Sequence, residues 1–414
     1  MSGTAIIRFY YRLKHKLEAV FYCWKTVKAL SLMNNNKSYK KEEVVIMKKK
    51  MMAAVLTMAM AAAMIGGCGN STDTSNAGNS TNTTESSADA ADSAKDTAQN
   101  TADKTVYKVG IVQYVDDASL NQIEKAIEAE LDAKAKELGV TFDYKDYTYN
   151  GQADSSTLNQ IATDLVAEDV DVIIPIATPT AMIMQAATEE NQIPVVFSAV
   201  SDPVTAGLVE SMDKPGSNIT GTSDALNTEA VMDLMFAANK DIKKVGLLYN
   251  KSQDSSTVPI QDAKDYLDKK GVEYVEKTGT TNDEISLAAD ALVAAGVDAV
   301  FTPTDNTVMT AELAIYEKFV EAGIPHYAGA DSFALNGAFC GFGVNYVDLG
   351  TATADIVVDI LVNEKDPATT AVQTMSNGIA TVNTDVASQL GIDYSVFDGM
   401  CEKVVEIQTA EEFE

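Results

Sequence analysis

The sequence has 414 residues, enough for more than one domain of roughly 100 to 200 residues, and carries 31 Lys and Arg against 60 Asp and Glu, a formal charge of −29. The charge is uneven: residues 1 to 67 hold 12 of the bases and 3 of the acids, so the remainder carries 19 against 57, a net −38. That polyanion repels DNA, RNA and anionic lipid headgroups. Beyond residue 67 it has no arginine, no tryptophan and one histidine, His326, which rules out a guanidinium clamp and leaves a zinc site or Ser-His-Asp triad a single imidazole.

The stretch "MKKKMMAAVLTMAMAAAMIGGCGN" at 47 to 70 has three lysines, a 15-residue run of small and apolar residues, and "IGGC" at 65 to 68. A positive start, a short apolar core and small residues before the cut describe a secretory signal over 47–67. The run is too short to span a bilayer comfortably, which takes about 20 residues. Cys68 after two glycines resembles the lipobox of bacterial lipoproteins, which implies cleavage before Cys68 and a lipid on its thiol. Residues 1–46, basic and aromatic, do not fit a signal. Lys41 to Val44 are compatible with a purine-rich ribosome-binding string ahead of the Met47 codon, so 1–46 is read as an artefactual extension, with a membrane-surface helix as the alternative. Residues 68–105, after Cys68, are almost wholly Ser, Thr, Asn, Asp and Ala and bury too little to fold, so they are read as a tether.

From Val106 onward short apolar runs alternate with amphipathic ones. "VYKVGIVQYV" reads as a strand, "SLNQIEKAIEAELDAKAKELG" as a helix closed by Gly139, and "VTFDYKDYTYN" as a strand. A helix near 154–168, the strand "VDVIIPI", a helix from about Thr180 and the strand "IPVVFSAV" follow. This order predicts a parallel sheet with helices on both faces.

After "NITGTS" at 218–223 the pattern begins again. "IKKVGLLYN" parallels "VYKVGIVQY", "LVAAGVDAVFTPTDNTV" parallels "LVAEDVDVIIPIATPTA", and "GIPHYAGADSFAL" parallels "QIPVVFSAVSDPV", at offsets of 136, 127 and 131. The fold class expected is α/β: two similar doubly wound parallel-sheet lobes, 106–223 and 224–400, joined by a hinge. The strand candidates "GAFCGFGVNY" and "GIATVN" place hinge crossings near 218–225, 330–346 and 378–385. Residues 401–414 read as an acidic tail.

Ligands of doubly wound sheets bind beyond the carboxyl ends of the strands. "PIATPTA" and "FTPTDNTV" are two such ends, each feeding a helix whose first N–H groups are unpaired and partially positive. Thr178, Pro179, Thr180, Thr304, Asp305, Asn306 and Thr307 are therefore candidate ligand contacts as well as caps. Without arginine, an anionic group falls to backbone N–H groups and hydroxyls at a helix N-terminus. An ammonium group would take a carboxylate: Asp305, Asp331 or Asp202, the last before Pro203 and equally a turn residue. Ser201 and Ser332 lie beside two of these. Gln113 and Tyr114 end the first strand, Tyr114 as aromatic wall or as packing, and Tyr346 is a further candidate. Cys340 and Cys401 either pair or stay separate. His326 reads as packing. No cofactor or metal is expected.

The lipobox, the tether, the duplicated lobes and the strings "IPVVFSAVSDPVTAGLV", "NITGTSD", "VFTPTDNTV" and "ATVNTDVASQLGI" together resemble the substrate-binding lipoproteins of ABC importers of the tryptophan/tyrosine type. The resemblance covers about Val106 to Phe397. It implies a type I periplasmic-binding-protein fold, two lobes closing on one small ligand, no catalysis, an ABC permease as membrane partner and no nucleic acid. A lipid-anchored monomer on the extracytoplasmic face is the resulting expectation, with a sugar or nucleoside receptor on the same scaffold as the alternative, and an enzyme or cytoplasmic regulator as a third.

Overall fold

The computed structural model describes residues 106–410 and 412–413. The extension at 1–46, the leader, Cys68 and the tether fall outside the described residues.

Two seven-stranded sheets organise the chain. The first contains β1 (Val106–Gln113), β2 (Thr141–Asp143), β3 (Thr148–Asn150), β4 (Val172–Ile176), β5 (Val195–Phe197), β6 (Ile219–Ser223) and β12 (Gln373–Thr374). Its order is β12-β6-β5-β4-β1-β2, with β3 also paired to β1, and every pairing is parallel. The second contains β7 (Lys244–Tyr249), β8 (Glu273–Thr278), β9 (Ala299–Thr302), β10 (His326–Ala328), β11 (Cys340–Gly343), β13 (Ile379–Asn383) and β14 (Lys403–Ile407). Its order is β14-β13-β11-β10-β9-β7-β8. The strand β4, VIIPI, is buried along its whole length, as a central parallel strand covered on both faces requires.

The helices that cover the first sheet are α1 (Ala118–Leu138), α2 (Ser155–Ala167) and α3 (Thr178–Thr188). Those of the second half are α4 (Thr228–Ala238), α5 (Asp254–Lys270), α6 (Asn282–Ala295), α7 (Asn306–Glu321), α8 (Asp331–Leu335), α9 (Tyr346–Leu361) and α10 (Thr384–Leu390). In α1, Leu120, Ile123, Ile127 and Leu131 are buried, the i, i+3, i+7 spacing that puts one stripe on the core. Each such side chain contributes roughly 1.5–3 kcal/mol on burial.

The chain passes between the sheets three times: after β6, between β11 and α9, and between β12 and β13. The helix α9 returns to the first lobe and packs on α1, β5 and β6. Gly350 permits that approach, because a Cβ there would lie 2.6 Å from the Ile123 carbonyl oxygen. Residues 346 to 374 therefore belong with the first lobe, although they follow much of the second in sequence.

Three local expectations change. The predicted strand at 140–150 is two short strands, because the Tyr147 N–H donates to the Tyr144 carbonyl at 2.8 Å and turns the chain between them. The strand β13 runs antiparallel to β11, since it enters the second sheet from the hinge in the opposite sense. The 401–414 segment is not simply a tail: β14 lies within it and pairs in parallel with β13 from Ile379↔Lys403 to Asn383↔Ile407.

Candidate ligand-binding site

The end of β4 is strained. Ala177 adopts φ 79°, ψ 152°, a region that costs a residue with a Cβ of order 1–3 kcal/mol. It is held there by its N–H, which donates to Ser198 O at 2.9 Å, and by its carbonyl, which accepts from Ala181 N at 3.1 Å. The helix α3 starts directly afterwards with a proline in its first turn and no side-chain cap. Its leading N–H groups thus keep their partial positive charge. Ala199, beyond β5, also has positive φ, 54°. Ala177, Thr178, Ala199 and Ser201 form one wall of a narrow cavity.

The facing wall comes from the second lobe: Ser255, Thr304, Asn306, Met309 and Ala330. Gly329 allows β10 to end close to the turn after β9, since a Cβ there would sit 2.6 Å from Thr304 N. Thr304 Oγ1 lies 3.0 Å from Ser201 Oγ of the first lobe, and Ser255 Oγ donates to Thr304 O at 2.9 Å.

Asp305 does not face this space. Its Oδ1 accepts from Thr307 N and Val308 N at 3.0 Å each, while Oδ2 accepts from Asn250 N at 2.7 Å and Ser256 Oγ at 2.6 Å. With four donors bound and the residue wholly buried, no acceptor position is left for a ligand cation, so Asp305 is a helix cap and a cross-link to α5. Its carboxyl is pushed above the usual range by burial, against which the Ser256, Asn250, Val308 and Thr307 donors work.

The carboxylate that does line the cavity is Asp224, just past β6. It is buried and accepts from Ser201 Oγ at 3.0 Å, and burial pushes its carboxyl up to about 6. Tyr346, the first residue of α9, lines the cavity beside it. Burial, and then the carboxylates of Asp224, Asp331 and Asp117, hold its phenol well above the ordinary range. At the start of α1, Ser119 and Leu120 complete the lining. Neither lysine nor arginine occurs among the described lining residues.

Asp331, partly buried, turns its carboxylate to the first lobe instead: it accepts from Ser119 Oγ, and from Gln122 Nε2 at 2.9 Å. The Ser332 N–H donates to Ser119 Oγ at 3.1 Å. Asp117 caps α1 through Ser119 N and Leu120 N, and burial pushes its carboxyl up to about 7.

The remaining expected contacts stand apart from the cavity lining. Gln113 is tied to Asn121 Oδ1 at 2.7 Å and to Asn150 Nδ2 at 3.2 Å. The half-buried Tyr114 phenol meets Gln253 of the second lobe, whose Oε1 accepts from Asn306 Nδ2 at 3.1 Å. Asp202 accepts from Thr205 N at 2.9 Å, a turn role. Pro179 occupies the first turn of α3, and Thr180 is buried with its hydroxyl unpartnered. His326 is buried in β10 between Glu312 Oε1 at 2.9 Å and Thr302 Oγ1 at 2.8 Å. Cys340 and Cys401 are both free thiols.

Sequence reasoning missed Asp224, Ser119, Leu120, Ser255 and Met309. For Asp224 a signal existed: it closes "NITGTSD", one strand over from "SAVSD", so both loops emerge at the same edge of a parallel sheet.

The ABC transporter substrate binding protein family model matches residues 108–397. A tyrosine-binding protein of Clostridioides difficile is 30% identical over 309 residues, 74% of this chain and 82% of that protein. A domain from Streptococcus pneumoniae crystallised in complex with L-Trp is 29% identical, covers 72% of this chain and 99% of that one, and superposes with a TM-score of 0.67. A ligand-free, open substrate-binding protein with adhesive properties from Clostridium difficile is 30% identical over 73% of this chain and 100% of that one, with a TM-score of 0.57. At nearly equal identity the liganded structure superposes better, in keeping with lobes that touch across the cavity. The two-lobed α/β fold and the match over most of the described residues establish that the chain belongs to the family of ABC transporter substrate-binding proteins, and is a binding component rather than an enzyme.

Proposed function

We propose that the chain is the lipid-anchored, extracytoplasmic receptor of an ABC importer, and that it captures an aromatic or other apolar amino acid between its lobes. The observation that carries this reading is the pairing of Asp224 with the uncapped start of α3 on the walls of one cavity. A zwitterion fits both: its ammonium group answers Asp224 and Ser201, and its carboxylate meets the N–H groups and hydroxyl at Thr178. Both poles follow strands of the first sheet, Thr178 after β4 and Asp224 after β6, so the first lobe extends to Asp224 and takes the ligand, and the second closes over it. Leu120, Met309, Ala330 and the Tyr346 ring offer an apolar surface to the side chain. A buried carboxylate with no cation among the described lining residues favours an ammonium-bearing ligand over a neutral sugar or nucleoside.

The walls leave about 20 Å³ between them, room for about one ordered water. An aromatic amino acid therefore enters a more open form, and binding selects a closed form that fits around it. The leader at 47–67, Cys68 and the tether support export and anchoring, with a permease as the partner that receives the ligand. The tyrosine-binding relative and the L-Trp complex support the aromatic class.

Calorimetry on the protein with L-Trp, L-Tyr, L-Phe, an aliphatic amino acid, glucose and a nucleoside tests the ligand class. Micromolar binding of at least one aromatic amino acid, without sugar or nucleoside binding, is the expected result. Binding of glucose or the nucleoside alone would overturn the amino-acid reading while leaving the receptor intact.

A further inference from the structure

Beneath the cavity three hydroxyls meet in the core of the first lobe. Ser198, just past β5, Thr222 in β6 and Thr353 in α9 are all fully buried. Thr353 Oγ1 lies 2.8 Å from Ser198 Oγ and 2.8 Å from Thr222 Oγ1, while the latter two are 3.4 Å apart. Thr353 Oγ1 also donates to Leu349 O at 2.9 Å. That carbonyl can only accept, so the single Thr353 proton goes to it, and the two lone pairs of Thr353 take the protons of Ser198 and Thr222. In this arrangement every hydroxyl proton is used and Thr353 is the common acceptor.

The two strand residues carry the cavity wall. Ser198 O accepts the N–H of Ala177, the strained residue at the head of α3, at 2.9 Å, and Thr222 O accepts the N–H of Val200 at 3.3 Å. Ser223 Oγ, next in line, donates to Ser201 O at 3.2 Å. Asp224 follows directly. Along α9, Tyr346 and Thr353 are seven residues apart, two turns, and so share one face: the first lines the cavity and the second holds the strand ends. That helix begins where the chain returns from the second lobe.

We propose that Thr353 is a positioning residue for ligand binding: it fixes the ends of β5 and β6, and with them Ala177, Ser201 and Asp224, to the helix that starts at the hinge. The proposal rests on the amino-acid reading above. Thr353→Val keeps the shape but leaves two buried hydroxyl protons without their acceptor, whereas Thr353→Ser keeps the acceptor.

The experiment is calorimetry of wild type, Thr353→Val and Thr353→Ser with L-Trp, L-Tyr and L-Phe, alongside thermal unfolding of the ligand-free proteins. Thr353→Val is expected to weaken binding about tenfold or more, and Thr353→Ser to restore it to within about twofold, as recovery of one buried hydrogen-bonding centre implies. Unchanged affinity in Thr353→Val, with only a lower melting temperature, overturns the positioning role and leaves the amino-acid reading standing. Wild type that binds none of the three, nor an aliphatic amino acid, overturns that reading and the proposal with it. If Thr353→Val does not fold, Ser198→Ala carries the test, because it removes one donor and strands no proton. A loss of roughly threefold in affinity supports the proposal, and an unchanged affinity overturns it.

Discussion

Ser201 Oγ and Thr304 Oγ1 stand 3.0 Å apart although 103 residues separate them in the chain. One follows β5 in the first lobe and the other follows β9 in the second, so this hydroxyl pair spans the cleft. Ser201 also donates to Asp224 at 3.0 Å, which joins the bridge between the lobes to the carboxylate that we assign to the ligand ammonium. Closure and ligand recognition therefore share an atom. A ligand cation at Asp224 competes for the acceptor that Ser201 uses, and so changes the strength of the bridge.

The second bridge, Ser119 with Asp331 and Ser332, should govern how long the lobes stay shut. Ser119→Ala removes both contacts, and we expect a larger radius of gyration by small-angle scattering without ligand. Dissociation of a bound amino acid should be faster by about 3- to 30-fold, the loss of one or two hydrogen bonds. An unchanged radius and unchanged dissociation rate would mean that the Ser119 bridge does not hold the lobes shut.

Asp305→Ala should act mainly on stability. It removes the cap of α7 and strands the buried Asn250 N–H and Ser256 hydroxyl, at a cost of about 2–4 kcal/mol from the cap and the unsatisfied donors together. Urea unfolding measures this directly. A stability within 1 kcal/mol of wild type would contradict the structural role.

The pH dependence follows from Asp224, whose carboxyl burial pushes up to about 6. A folded-state value above the unfolded one means the native protein holds the extra proton between about pH 4 and 6. This group therefore costs stability above about pH 6, and that cost disappears as the pH falls toward 4. Binding of an ammonium group needs the carboxylate, so affinity runs the other way: flat near pH 8 and falling by up to about tenfold per pH unit below 6. Calorimetry from pH 5 to 8 distinguishes this from a pH-independent site.

In the second lobe, Glu312 and His326 form a buried pair with Glu312 Oε2 left unpartnered. His326→Leu alone should cost about 3–5 kcal/mol, because it isolates a buried acid. Adding Glu312→Leu should recover most of that loss in urea unfolding, since an apolar pair of similar volume commonly replaces a buried polar one without penalty. A double variant no more stable than the single one would place the cost elsewhere.

Much of the fold was readable because the repeat of "VYKVGIVQY" in "IKKVGLLYN" reflects two sheets built by the same alternation of buried strands and amphipathic helices. The site was readable only in part. Asp305 and Asn306 were found because a helix start needs a short polar acceptor, but a cap and a ligand contact call for the same residue types, and only the four donors around Asp305 separate them. Asp224 was hidden because its importance comes from the adjacency of β5 and β6. Ser119 meets Asp331 across 212 residues, a relationship set by lobe closure and invisible to local pattern. The return of α9 to the first lobe was equally hidden, since its amphipathic face would fit either sheet.

The most direct test uses the absence of tryptophan after residue 67. In a protein beginning at Cys68, all indole emission comes from added ligand, so titration with L-tryptophan reads the environment of the bound ring. Wild type should show a saturable blue shift at micromolar concentration, weakened about 100-fold in Asp224→Asn by loss of a buried ion pair. A saturable shift of equal affinity in Asp224→Asn would contradict the assignment of Asp224 to the ligand ammonium. No shift in wild type, together with no competition by L-tyrosine or L-phenylalanine in calorimetry, would contradict capture of an aromatic amino acid altogether.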